Sequence, residues 1–108
     1  QKNDLWVEQT VDGVCRCRKC GTDLSKTEWR ADHIIPHKQN GPTVFENGQL
    51  LCLDCNEQKS SGMDVSDVEY VAEKTGYTKT DALLSMLSTN TLSADEIRLV
   101  SKQIFNKQ

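Results

Sequence analysis

The chain has 108 residues, 36% of them hydrophobic, with 13 Lys+Arg against 16 Asp+Glu and a formal net charge of −3. That length suits one domain, or one domain with a short helical appendage, and the low apolar content suits a fold stapled by metal. Membrane spans are excluded by the lack of a long apolar run, and nothing resembles a signal peptide; reduced cysteines used as ligands place the protein in the cytoplasm. A start at Gln1 rather than Met leads us to expect a fragment or a trimmed chain.

Residues 1–62 read as short strands and turns, and 63–108 as helices. The first strong signal is Cys17-Arg-Lys-Cys20, followed by Gly21, which gives the backbone freedom to turn around a metal. Asp32-His33-Ile34-Ile35 carries the β-branched pair of a strand, with Pro36 at its end. Gln39-Asn40-Gly41-Pro42 is a turn, and Asn47-Gly48 is a second, flanked by Val44-Phe45 and Gln49-Leu50-Leu51. A second knuckle, Cys52-Leu-Asp-Cys55, opens a short helix expected over 52–60. In the tail, Ser66-Asp67-Val68-Glu69 reads as a capping box for a helix that Gly76 ends. Thr78 or Thr80 starts the next helix, with Ala82, Leu83, Leu84, Met86 and Leu87. Ser93-Ala94-Asp95-Glu96 caps a third, with Ile97, Val100, Ile104 and Phe105 at helical spacing. These helices are expected to pack together as a cap or dimer surface. A DNA-reading helix would want Arg or Asn where the second one has Thr, Asp and Ser.

Two Cys-x-x-Cys knuckles supply two vertices each of the tetrahedron that Zn²⁺ prefers. Cys17, Cys20, Cys52 and Cys55 are the expected ligands. The fifth cysteine, Cys15, could replace Cys17, but Cys17-x-x-Cys20 mirrors the second knuckle. Four thiolates leave no open position for chemistry, so this zinc is structural. Disulfide pairing is the competing reading, disfavoured by an odd cysteine count and by the paired spacing.

Charge argues against autonomous DNA binding. Non-specific affinity comes from counterions released by clustered cations, and the four thiolates with Zn²⁺ would add about −2. Arg16, Arg18, Lys19, Lys26, Arg30, Lys38 and Lys59 nevertheless lie in the first sixty residues. A partner, a further DNA-recognition domain or a homodimer is expected to supply affinity.

The stretch from Cys17 to Ser60 resembles the HNH endonucleases, the ββα-metal nuclease family, in its four-cysteine form. The matching residues are Cys17-x-x-Cys20-Gly21, Asp32-His33-Ile34-Ile35-Pro36, Glu46-Asn47-Gly48-Gln49-Leu50-Leu51-Cys52 and Cys55-Asn56-x-x-Lys59-Ser60. The resemblance implies an α+β fold: a zinc-stapled ββα-metal core over 1–62 and a helical extension over 63–108. It also implies cleavage of DNA phosphodiester bonds, most simply in double-stranded DNA. His33 would be the general base, since an imidazole titrates near neutral pH. Asp32 and Asn56 would hold a hard divalent ion, Mg²⁺ or Mn²⁺, in an Asp–His–Asn variant of the site. Asn47 would brace the loop that holds the base. Arg30, His37 and Lys59 would meet the nucleic acid. Restriction, phage DNA processing and mobile-element cleavage are the settings such modules serve.

Each residue also has a plainer role. Asn47 before Gly48 is an ordinary turn residue, Asn56 could cap the helix beginning at the second knuckle, and His37 and Lys59 could be solvated. Arg30, with Trp29 before it, could simply pack. Two functions from other classes therefore stand beside the nuclease: a zinc-stapled module that binds nucleic acid or protein without cutting, and a structural zinc domain serving oligomerisation.

Overall fold

The computed structural model describes residues 2–59, 62–88 and 91–105. The fold is α+β, with α1 (Lys2–Gln9), β1 (Thr10–Val11), β2 (Val14–Cys15), β3 (Trp29–His33), β4 (Gly48–Cys52), α2 (Leu53–Lys59), α3 (Val65–Thr75), α4 (Thr80–Leu84) and α5 (Ala94–Phe105). The strands form two two-stranded sheets, β1 with β2 and β3 with β4. The chain divides into two compact units, Gln1–Asp32 with Gly48–Ser60, and His33–Asn47 with Ser61–Gln108.

The first unit is built around β4. Gln49, Leu50, Leu51 and Cys52 are all buried, so the strand is covered on both faces and shows no alternation. The β1–β2 hairpin pairs Thr10 with Cys15 and Val11 with Val14. Its two-residue turn, Asp12-Gly13, has φ of 54° and 80°, the geometry whose twist matches antiparallel strands. Helix α1 was not expected in a segment read as strands and turns. It is polar, with Leu5 its buried residue, so periodicity gives no warning of it. It is tied down at its end, where Gln9 accepts from Leu50 N at 2.7 Å and donates to Leu50 O at 3.1 Å. Trp6 of α1 packs on Trp29 of β3, ring centroids 5.4 Å apart.

The second unit has the larger apolar core. Ile34, Ile35, Met63, Val68, Val71, Leu83, Leu92, Ile97 and Val100 are buried together, and each such side chain contributes roughly 1.5–3 kcal/mol on burial. The strand expected at 32–35 instead ends at His33. Ile34 N donates to Asn47 O at 2.8 Å. The Asn47 side chain takes both polar groups of Ile35, accepting from its N–H at 2.8 Å and donating to its C=O at 3.0 Å. With those groups satisfied off the ladder, both isoleucines enter the helical core. The turn that follows brings Gly41 hard against the same backbone. Its N–H donates to Pro36 O at 3.0 Å, and a Cβ here would overlap the Ile35 carbonyl.

The tail helices form with shifted boundaries. The cap of α3 is Asp64 rather than Ser66: Asp64 Oδ1 accepts from Asp67 N, and Asp67 Oδ2 from Asp64 N, each at 3.0 Å. Ser66 is left to bond Asp64 Oδ1 at 2.6 Å. Gly76 ends α3 with φ 78°, as expected. Helix α4 starts at Thr80 but stops at Leu84, short of Met86, which is 59% exposed. The Ser93–Glu96 capping box is present, with Ser93 N donating to Glu96 at 2.8 Å and Glu96 N to Ser93 Oγ at 3.2 Å. Two side chains fasten these helices to the 33–47 segment: Ser101 Oγ donates to Asn40 O at 2.7 Å, and Lys74 Nζ to Phe45 O at 3.1 Å.

Candidate functional site

The two knuckles converge. The sulfurs of Cys17, Cys20, Cys52 and Cys55 all lie within 4.8 Å of one another, and Cys15 is not in the group. Each knuckle is closed by its own backbone. Gly21 N donates to Cys17 O at 2.9 Å, with Gly21 at φ 78°, and Cys55 N points at Cys52 Sγ at 3.5 Å. The donor set fits zinc. Four sulfurs about 2.3 Å from one ion stand about 3.8 Å apart, and Cys20 Sγ and Cys52 Sγ are 3.7 Å apart. The thiols differ in their electrostatic setting. The Thr22 hydroxyl, 3.0 Å from Cys20 Sγ, helps bring that thiol down to about 6, whereas burial and then its neighbouring sulfurs push Cys55 up. Sulfurs this crowded cannot all ionise without a cation to offset them.

In the same unit, Asp32 lies near the end of β3. Its Oδ2 accepts from Gln49 Nε2 at 2.9 Å and pairs with Lys59 Nζ at 3.0 Å. No hydrogen bond ends on Oδ1 among the described residues, so that oxygen suits a further ligand. The Lys59 side chain is 4% exposed; in this structure it is neither solvated nor projecting outward, because it serves the Asp32 carboxylate. Asn56 is half-buried. It sits inside α2, which runs from Leu53, and so does not cap that helix. Arg30 is exposed, with its guanidinium folded back to Trp29 O at 3.0 Å. Ser60, the last residue of the expected motif and helix, lies outside the described residues.

In the second unit, His33 is half-buried and its Nε2 lies 2.9 Å from Thr43 Oγ1. His37 is exposed, with its ring centroid 6.1 Å from that of His33 in an edge-on arrangement. Asn47 is fully buried. Besides the Ile35 backbone, its amide reaches Pro42 O at 3.0 Å.

Two neighbours escaped sequence reasoning. Gln49 is fully buried beneath Asp32, and the available signal was an amide inside an otherwise apolar strand, which must find partners. Thr43 had no signal, since a threonine in a turn is commonplace.

The comparisons with known proteins bear on this constellation. Residues 17–62 match the HNH endonuclease family. The chain is also similar to the CRISPR-associated endonuclease Cas9 of Corynebacterium diphtheriae, at 35% identity over 60 residues. That alignment covers 54% of this chain but 6% of the Cas9, so the chain spans a small part of that relative's length. No solved structure matches. Among the described residues, no helix is long and apolar enough to cross a membrane.

Proposed function

We propose that this chain is a metal-dependent DNA endonuclease module acting on double-stranded DNA. The observation that carries the reading is Asp32: its Oδ2 is gripped by Gln49 and Lys59 while Oδ1 takes no hydrogen bond among the described residues. This carboxylate lies in a segment matching the HNH endonucleases. The four cysteines hold a structural zinc. Asp32 and Asn56 offer a carboxylate and an amide oxygen, which suit Mg²⁺ or Mn²⁺ and are too few and too hard for tight zinc binding. That ion, when bound, offsets the negative charge that develops on the phosphate and the leaving oxygen. His33 draws the proton from the attacking water as its oxygen bonds to phosphorus and the P–O bond to the leaving sugar oxygen breaks. Asn47 braces the loop after the base. Arg30 and His37, both exposed, contact the DNA backbone. Lys59, buried against Asp32, steadies that carboxylate and does not reach the DNA.

With a net charge of −3, the module relies on a partner, a second subunit or a further recognition domain for affinity. A role in restriction or another defence system, or in phage DNA processing, follows from the kind of protein it resembles, and a cytoplasmic location goes with reduced thiolate ligands. One observation favours a non-cutting module that binds nucleic acid. Lys59 already neutralises the Asp32 carboxylate, which weakens its claim on a divalent ion.

Plasmid nicking decides between them. Cutting should vanish under mild chelation that spares zinc, return with Mg²⁺ or Mn²⁺, and be lost in Asp32→Ala and Asn56→Ala while DNA binding persists. Metal-independent cutting, or normal cutting by Asp32→Ala, would overturn the reading. Binding with no cutting under any metal would establish the second.

A further inference from the structure

We propose that Gln49 is a positioning residue that ties the four-cysteine clamp to the Asp32 carboxylate. The proposal rests on the reading of Asp32 as an ion ligand.

Gln49 is fully buried in β4, and both ends of its amide are used. Oε1 accepts from Arg18 Nε at 2.8 Å, and Nε2 donates to Asp32 Oδ2 at 2.9 Å. The orientation is fixed chemically. A guanidinium has donors and no acceptor, and a carboxylate has acceptors and no donor, so a flipped amide would face a like group at both ends. Arg18 is the second residue of the first knuckle, between Cys17 and Cys20, and its own N–H donates to Leu50 O at 3.2 Å. A continuous chain thus runs from the clamp, through Arg18 and Gln49, to the carboxylate.

Gln49 touches neither ion nor DNA in this scheme. It occupies Oδ2 beside Lys59 and so presents Oδ1 for the ion. A carboxylate that must be held before an ion arrives gains affinity from a rigid partner, and loss of such outer partners typically costs about 10–100-fold in metal affinity. Closing the cysteine clamp fixes Arg18, and through it the amide that orients Asp32. The zinc therefore acts on the second ion's affinity as well as on the fold.

The test uses the zinc-loaded chain and Mn²⁺ binding followed by the paramagnetic resonance signal of free Mn²⁺. Gln49→Met keeps length and apolar bulk but removes the amide. It should weaken Mn²⁺ by about 10-fold or more, keep the zinc content of the wild type, and raise the Mg²⁺ needed for half-maximal nicking by a similar factor. The rate at saturating Mg²⁺ should change much less. Arg18→Met, at a half-buried position, should show the same loss and keeps the test open if Gln49→Met fails to fold. The double variant should be no worse than either single one, since both cut the same chain. A lowered melting temperature with unchanged Mn²⁺ affinity in both single variants would reduce Gln49 to a packing residue and overturn the proposal. Asp32→Ala separates the two failures. If it loses Mn²⁺ while Gln49→Met and Arg18→Met keep it, the coupling alone is wrong. If Asp32→Ala binds Mn²⁺ like the wild type, the reading of Asp32 falls, and the coupling with it.

Discussion

The imidazole of His33 meets the hydroxyl of Thr43, Nε2 to Oγ1, at 2.9 Å. The hydroxyl can accept from Nε2–H or donate to a bare Nε2, and in the first arrangement Nδ1 carries the lone pair that a base needs. His33→Ala should therefore lower nicking by about 10²–10⁴-fold in a folded protein. Thr43→Val, which keeps the shape and removes the acceptor, should cost roughly fivefold, equivalent to about 1 kcal/mol. Thr43→Ser should restore the rate. Equal rates in wild type and Thr43→Val would remove the hydroxyl from the mechanism.

Asn47 makes a different prediction, because its side chain is built into the second unit. Asn47→Ala would leave the N–H and C=O of a fully buried Ile35 without their partners. Chemical denaturation should show a loss of roughly 2–6 kcal/mol, at about 1–3 kcal/mol for each of the two buried groups left unsatisfied. Asn47→Asp keeps the acceptor for Ile35 N–H and should recover part of it. A stable, inactive Asn47→Ala protein would mean that the residue works in the chemistry instead.

The clamp predicts a sharp division among the five cysteines. Cys17→Ser, Cys20→Ser, Cys52→Ser and Cys55→Ser should each lower the zinc content below one ion per chain and unfold or aggregate the protein. Cys15→Ser should fold with its zinc retained. Elemental analysis beside circular dichroism reads both outcomes. An indispensable Cys15 with a dispensable Cys17 would show that the ligand set is different.

The start of α5 supplies a pH dependence. The Ser93 N–H, and then that of Ser88, hold Glu96 below the usual carboxylate range. A depressed folded-state value means that the stabilisation is complete above the unfolded value of about 4.3 and is lost as the pH falls through the lower folded one. Glu96→Gln should therefore melt below the wild type near neutral pH, and the gap should close as the pH drops below about 4. A gap that persists undiminished in acid would show that the charge plays no part in the cap.

The readability of this sequence follows the range of the forces involved. The knuckles were legible because a Cys-x-x-Cys turn defines its chemistry within four residues. The Ser93–Glu96 box and the Gly76 stop were legible for the same reason. Ile34-Ile35 misled because β-branched residues suit strands, and the amide that withdraws their backbone comes from Asn47, twelve residues away. Helix α3 was displaced at its start because Asp64 and Ser66 are both good caps, and only the reciprocal bonds of Asp64 and Asp67 choose between them. Helix α1 gives no apolar stripe to read. Gln49 stands within the motif with no legible role, since its partners, Arg18 and Asp32, lie 31 and 17 residues away.

The close approach of Gly41 to the Ile35 carbonyl has an evolutionary reading. No rotamer change can make room for even a methyl group there, because the obstacle is main chain. Displacing that carbonyl would in turn break its bond from Asn47. Positions 35, 41 and 47 are therefore expected to change together or not at all. A related sequence carrying any other residue at 41 must have rebuilt the whole turn, and its asparagine at 47 would be released to vary.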